Sequence, residues 1–314
     1  MKVGSPPPPP KSKSSPPSRR PQPLQPTVIE TFNTHRPLLF GIAYRMLGRV
    51  SEAEDAVQEV WLRWQKQDAA GIQSAKAWLV SATTRLCIDQ LRSARRQRED
   101  YYGVWLPEPL MAATGTDPGQ AAELADSLGM AFMLMLETLK PAERAVYLLR
   151  EVFAYDYAEI AAIVGKGEAN CRQIVSRAKI LLQGAPRAEA QPSQRARQLV
   201  ETFLAAAAGG NVQDVLALLA DESAVYSDGG GKVKAAGRVI RGSDHVSRFL
   251  LGIWPRFMAG VKPSLVTING SPGFVVSSAD RVDYALTFEV TGDRIQAIYI
   301  VCNPDKLRHF APNA

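Results

Sequence analysis

Between Tyr155 and Leu182 the chain reads YDYAEIAAIVGKGEANCRQIVSRAKILL, and its polar side chains have the chemistry to grip a nucleic acid. Asn170, Arg172, Gln173, Ser176, Arg177 and Lys179 fall on one side of a helical repeat, and Cys171, Ile174, Val175, Ala178 and Leu182 fall on the other. An arginine fork fits the O6/N7 edge of guanine, and a carboxamide fits adenine. Arg172 and Gln173 are therefore the candidates for base edges, and Arg177 and Lys179 for phosphates. A second basic series lies upstream, where Arg85, Arg92, Arg95, Arg96 and Arg98 are offset only by Asp89. Arg85, Asp89, Arg92 and Arg96 share one helical side, where cations would hold phosphates in a salt-dependent, sequence-blind way. The plain alternative for 155–182 is a pair of core helices with a solvated outer face.

Other chemistry has thinner support. Asp228, Asp283 and His245 could serve proton transfer, yet they form no motif, and Asp283 sits between Val282 and Tyr284 where a strand would turn it to solvent. Cys87, Cys171 and Cys302 lie far apart without a CxxC pair, and the three histidines are scattered. That pattern predicts buried free thiols in a reducing cytoplasm, with no metal and no cofactor. No apolar run approaches the ~20 residues of a membrane span.

These side chains need elements to position them. The chain has 314 residues, 46% of them apolar, and a formal charge of +6, enough for two or three cores and suited to a polyanionic partner. Residues 1–27, rich in proline, serine and basic residues, read as a disordered tail. Residues 28–47 suit a helix interrupted by Pro37 and ending at Gly48. Ser51 and Glu54 form a capping-box pattern that opens a helix to about Lys66, with Ala53, Ala56, Val57, Val60 and Trp64 as its buried stripe. A loop from Asp68 to Ser74 precedes a long helix from Lys76 to about Arg96. Trp78 in that helix suits core packing better than base stacking. Residues 99–126 read as a Pro/Gly-rich linker, 127–186 as a second helical block and 187–194 as a hinge. From 195 to 314 two helices (196–207 and 211–219) and a short one (243–253) accompany strand-like runs such as LVTIN, GFVVSS, RVDYALTFEV and RIQAIYIVC. Helices followed by a curled antiparallel sheet imply an α+β domain with a concave interior.

The chain resembles the extracytoplasmic-function (ECF) sigma factors of the sigma-70 family. HRPLLFGIAYRMLG (35–48), AEDAVQEVWLRW (53–64) and AWLVSATTRLCIDQLRSARR (77–96) look like region 2, and the helix-turn-helix of 155–182 looks like region 4. WLPEP at 105–109, DGGGK at 228–232 and NPDKL at 303–307 resemble the subgroup with a C-terminal SnoaL-like domain. One departure is Gly167, where the family usually has a serine N-cap.

The resemblance implies two all-α sigma domains, region 2 over 28–98 and region 4 over 127–186, followed by an α+β cone with a curved antiparallel sheet. It implies a non-enzymatic, cytoplasmic subunit whose partners are promoter DNA and core RNA polymerase, at the largest-subunit coiled coil and the flap. Glu54, Asp55, Gln58, Glu59 and Leu62 would bind polymerase. Arg85, Arg92, Arg95 and Arg96 would serve the −10 element, with a flipped base held by the loop 68–74. Asn170, Arg172, Gln173, Arg177 and Lys179 would serve the −35 element. Trp105, Leu106, Pro107, Glu108 and Pro109, with Asp228, Gly229, Gly230, Gly231 and Lys232 and with Asn303, Pro304, Asp305, Lys306 and Leu307, would form a regulatory interface acting in cis. The cone would leave room for a small ligand. The competing classes are a SnoaL-like enzyme using the cone and a helix-turn-helix regulator that works without polymerase.

Overall fold

A computed structural model describes residues 27–67, 71–98, 101–111, 129–182, 194–258, 261, 263–278 and 281–310. The N-terminal tail, most of the hinge, residues 68–70 of the 68–74 loop and linker residues 112–126 lie outside the described residues, as do the side chains of Arg95 and Arg96.

Helix α1 (Val28–Leu47) starts at a reciprocal cap between Thr27 and Glu30 and stops at Gly48, whose φ of 73° suits glycine. It runs unbroken through Pro37. Leu39, Ile42, Ala43 and Met46 are buried just beyond, so packing overrides the loss of one helical hydrogen bond. Helix α2 (Val50–Trp64) buries its expected stripe, but the Ser51–Glu54 capping box does not form. A carboxylate from another segment occupies that helix end, as described below. Helix α3 (Ala75–Arg98) packs on α1 and α2, with Trp78 against Trp64 at a centroid distance of 5.3 Å.

The second helical block comprises α4 (Met130–Leu136), α5 (Pro141–Glu151), α6 (Tyr157–Val164) and α7 (Glu168–Leu181). It shares one continuous core with the first block. The buried Arg144 joins the two, its Nη1 donating to Met46 O at 2.6 Å and to Glu137 Oε1 at 2.8 Å, and its Nε to Leu136 O at 2.9 Å. Arg45, at the end of α1, lies 5.3 Å from the centroid of the Phe153 ring, and burial lowers its pKa to about 10.

The C-terminal domain begins with α8 (Gln194–Gly209) and α9 (Val212–Leu216). Strand β1 (Leu219–Asp228) starts where the sequence pattern extends the second helix. Strand β2 (Ile240–Arg241), α10 (Ser243–Phe257), β3 (Ser264–Ile268), β4 (Ser271–Ser277), β5 (Val282–Thr291) and β6 (Arg294–Val301) follow, with a 3₁₀ turn at Pro304–Lys306. The sheet order is β2-β1-β6-β5-β4-β3, antiparallel except for the parallel pair β1 and β6, and it does not close.

Because strand side chains alternate, the sheet has two buried faces. One packs on α8, α9 and α10 around Phe203, Phe274 and Phe288, with Trp254 alongside, so aromatic rings fill the concave side. The other buries Ala285, Tyr299 and Val301 against Leu106 of the linker, Met130 of α4, and Leu307 and Phe310 of the C-terminus. Helix α4 thus lies between the helical core, which takes Phe132, Met133 and Leu136, and the sheet, which takes Met130.

Candidate functional site

Helix α7 is the second helix of a helix-turn-helix. Gly165 takes φ = 67° to end α6, and Gly167, in extended conformation, is the N-cap of α7. Cys171, Ile174, Val175 and Ala178 lock α7 into the core. Asn170, Arg172, Gln173, Ser176, Arg177 and Lys179 are all exposed. Arg172 Nη2 donates to Glu168 at 2.8 Å, and Lys179 pairs with Glu151 at 2.8 Å. The result is a polar face on a rigid helix, the geometry that enters a major groove.

The α3 arginines divide. Arg92 is exposed and pairs with Asp89 at 3.2 Å. Arg85 instead reaches the second helical block, its Nε donating to Ile163 O and its Nη2 to Ala162 O, both at 2.8 Å. Those carbonyls end α6 without helical partners, and a guanidinium there also favours the helix dipole. On α2, Glu54, Asp55 and Gln58 are exposed, Leu62 is 45% exposed, and Glu59 pairs with Arg63 at 2.9 Å. The acidic face is therefore open to a partner, with an apolar side chain at its end.

The structure brings the three short motifs together around Asp228, which is fully buried. Its carboxylate accepts hydrogen bonds from Leu106 N (2.8 Å), Tyr101 Oη (2.5 Å), Gly230 N (3.0 Å) and Lys306 Nζ (2.7 Å). Lys306 also donates to Leu106 O at 2.5 Å, and its ammonium lies 4.4 Å from the centroid of the Trp105 ring. Asn303 Nδ2 donates to Tyr101 Oη at 3.0 Å. Gly230 has φ = 59°, and a Cβ there would stand 2.2 Å from Asn303 Nδ2, so glycine is required twice over. Lys232 pairs with Asp305 on the surface beside this node.

The same linker docks on the first helical block. The buried Glu108 caps α2, accepting from Val50 N at 2.8 Å and from Ser51 N at 3.4 Å, and it pairs with Arg49 at 2.9 Å. Tyr44 Oη donates to Glu108 O at 2.6 Å. Asn269, in the β3–β4 turn, donates from Nδ2 to Tyr44 Oη at 2.8 Å and exchanges two hydrogen bonds with Leu110. His309 contacts Pro109 O at 2.8 Å. Trp105 fits because Gly48 has no side chain, since a Cβ would lie 2.6 Å from its ring.

Sequence reasoning missed Tyr44, Arg49, Tyr101, Asn269 and His309. Only Asn269 carried a usable signal, since Asn269-Gly270 is a hairpin-turn dipeptide and both residues take positive φ.

Of the proton-transfer candidates, two are engaged elsewhere and the third is exposed. Asp228 is saturated at the linker node, Asp283 pairs with Arg281 at 2.8 Å on the surface, and His245 is exposed at the start of α10. The three cysteines are buried, and burial pushes the Cys302 thiol up to about 12. Among the described residues no group of His, Cys, Asp and Glu could hold a metal ion. No described helix is long and apolar enough to cross a membrane.

Comparison with known proteins agrees with this geometry. Residues 31–97 match the family Sigma-70 region 2, and residues 129–182 match Sigma-70, region 4. The chain is 36% identical over 289 residues to the ECF RNA polymerase sigma factor SigJ of Mycobacterium tuberculosis, covering 88% of this chain and 92% of that protein. It is 29% identical over 286 residues to a probable ECF sigma factor of the same organism, SigI, covering 89% and 94%. The crystal structure of M. tuberculosis SigJ superposes with a TM-score of 0.72 at 33% identity, covering 88% of this chain and 97% of that one. The chain belongs to the extracytoplasmic-function sigma factors, alternative sigma factors that direct transcription initiation by RNA polymerase.

Proposed function

We propose that this arrangement is a closed form of the sigma factor, braced in cis by its C-terminal domain, and that engaging polymerase and a promoter requires the two helical blocks to separate. The observation that carries the reading is the single core shared by both blocks, crossed by Arg85 and Arg144. The −10 and −35 elements lie about 25 base pairs apart, about 85 Å of duplex. Helix α3, about 36 Å long, packs directly on α5 and α6. One body of that size cannot lay α3 on one element and α7 on the other.

In the open form the roles divide by domain, with region 2 over 28–98, region 4 over 127–186 and the regulatory domain over 195–314. Glu54, Asp55, Gln58, Glu59 and Leu62 dock on a basic and apolar helical surface of core polymerase. Arg85, Arg92, Arg95 and Arg96 hold the −10 region. Asn170, Arg172, Gln173, Arg177 and Lys179 hold the −35 element. The protein works in the cytoplasm. The linker node at Asp228 sets how readily the closed form opens. A small ligand in the cone would have to displace the Phe203–Trp254–Phe274–Phe288 cluster.

Run-off transcription from a promoter library with core polymerase tests this reading. Transcripts that depend on the full-length chain and share two upstream elements are expected. A chain that neither binds core polymerase nor supports transcription, whole or ended at residue 187, would overturn it.

A further inference from the structure

Tyr157, the first residue of α6, has no place in the DNA-reading set described so far. Its ring nevertheless carries two guanidinium groups. The Arg172 carbon Cζ lies 5.0 Å from the ring centroid and that of Arg150 lies 4.7 Å away. Two like charges gathered on one ring repel each other, and the negative π face is what makes the arrangement favourable. Arg150 is fixed from its own side, donating to Tyr155 O at 2.9 Å and lying 3.6 Å from Asp156. Among the described residues Arg172 has only the exposed i,i+4 pair with Glu168 besides the ring, and pairs of that kind orient a side chain weakly.

We propose that Tyr157 is a positioning residue for promoter recognition, a platform that presents the Arg172 fork to a base edge. The inference rests on the reading of Arg172 as a −35 base contact. The chemistry of the two interactions is compatible. An aromatic ring can take the face of a guanidinium and leave its N–H donors in the guanidinium plane, where a guanine O6/N7 edge would replace the Nη2 bond to Glu168. Exposed arginine otherwise samples many rotamers, and a fork held in advance loses less freedom on binding. Because the platform belongs to α6 and the fork to α7, the angle between the two helices is itself part of the recognition geometry.

The test uses the full chain with core polymerase and measures binding, at one fixed salt concentration, to promoter fragments in which each base pair of the −35 element is changed in turn. Five proteins are compared: the parent, Tyr157→Leu, Tyr157→Phe, Arg172→Ala and the double variant Tyr157→Leu/Arg172→Ala. Tyr157→Leu is expected to lower discrimination about three- to fivefold at the one position that Arg172→Ala relaxes, the scale of an exposed cation–π contact. Tyr157→Phe should keep the parent's discrimination, and Tyr157→Leu should add nothing once Arg172 is alanine. A uniform loss on every fragment, persisting in the Arg172→Ala background, would assign Tyr157 a structural role only and overturn the proposal. Unchanged discrimination in Tyr157→Leu while Arg172→Ala relaxes one position would overturn it too. If Arg172→Ala relaxes no position, the reading of Arg172 falls first and the inference falls with it.

Discussion

The Glu108 carboxylate, carried by the interdomain linker, accepts a 2.8 Å hydrogen bond from the backbone N–H of Val50 and so caps the helix that bears the exposed acidic face. Docking of the linker and the start of α2 are therefore one structural event. Replacing Glu108 with alanine leaves the buried Val50 N–H without its acceptor and removes one of the two carboxylates paired with Arg49, the other being Glu52 at 3.0 Å. We expect a loss of about 2 kcal/mol, the upper range for an N-cap, read as a lower denaturant midpoint at constant m. Glu108→Gln, which keeps an acceptor, should lose about half as much.

The buried Asp228–Lys306 pair sets a second prediction. Both side chains are almost completely buried, and each accounts for much of the other's solvation. Removing one partner alone, as in Lys306→Met or Asp228→Ala, should cost about 3–5 kcal/mol. The double variant Asp228→Leu/Lys306→Met should cost less than the sum of its single changes, because no buried charge is left alone. Equal additivity in a denaturation cycle would mean that the pair is not coupled.

Arg85 faces two exclusive uses. Here its guanidinium serves the carbonyls of Ala162 and Ile163, and in the proposed open complex it would be free for a phosphate. Arg85→Ala should destabilise the closed form by about 1 kcal/mol. In a salt titration of promoter binding by the holoenzyme, it should also reduce the slope by about one ion. Arg85→Lys should restore the slope but not the two-carbonyl contact. An unchanged slope in the alanine variant would confine Arg85 to the closed form.

Glu289 gives a pH signature. Burial raises its carboxyl above the ordinary 4.5, and the 2.8 Å hydrogen bond from Tyr299 Oη offsets part of that rise. Between the ordinary and the raised value the native state binds the proton more tightly than the unfolded chain. The contribution of this group to stability therefore falls as pH climbs through that window. Glu289→Gln keeps an acceptor for Tyr299 without the charge. It should melt higher than the parent at pH 7 and show a flatter dependence between pH 4.5 and 7.

How much of this was legible in the sequence depends on how far apart the interacting residues lie. The buried face of α7 follows from Cys171, Ile174, Val175 and Ala178 alone, because a helix repeats every 3.6 residues whatever surrounds it. The cap of α2 does not, since its acceptor comes from a residue 58 positions downstream and displaces the local Ser51–Glu54 pattern. Strand β1 was hidden because Asp221, Glu222 and Ser223 break its alternation at a register shift against β6. DGGGK reads as a turn, but nothing local reveals that Asp228 is buried or that Lys306 is the cation beside it. Arg85 reads as one more exposed phosphate ligand, and only the packing of α3 against α6 shows its second partner. Elements with an unbroken local pattern were therefore readable, while β1 and the contacts that join domains were not.

The central claim is that regions 2 and 4 share one body in the free protein and part on polymerase. Single-molecule energy transfer between dyes at Ser93→Cys on α3 and Lys166→Cys in the helix-turn-helix turn tests it directly, because both positions are exposed and the native cysteines are buried. The account predicts one short distance in the free chain and a much longer one in a transcribing holoenzyme, with Asp228→Ala shifting the free chain toward the longer distance. A short distance that persists in a transcriptionally active holoenzyme would contradict it.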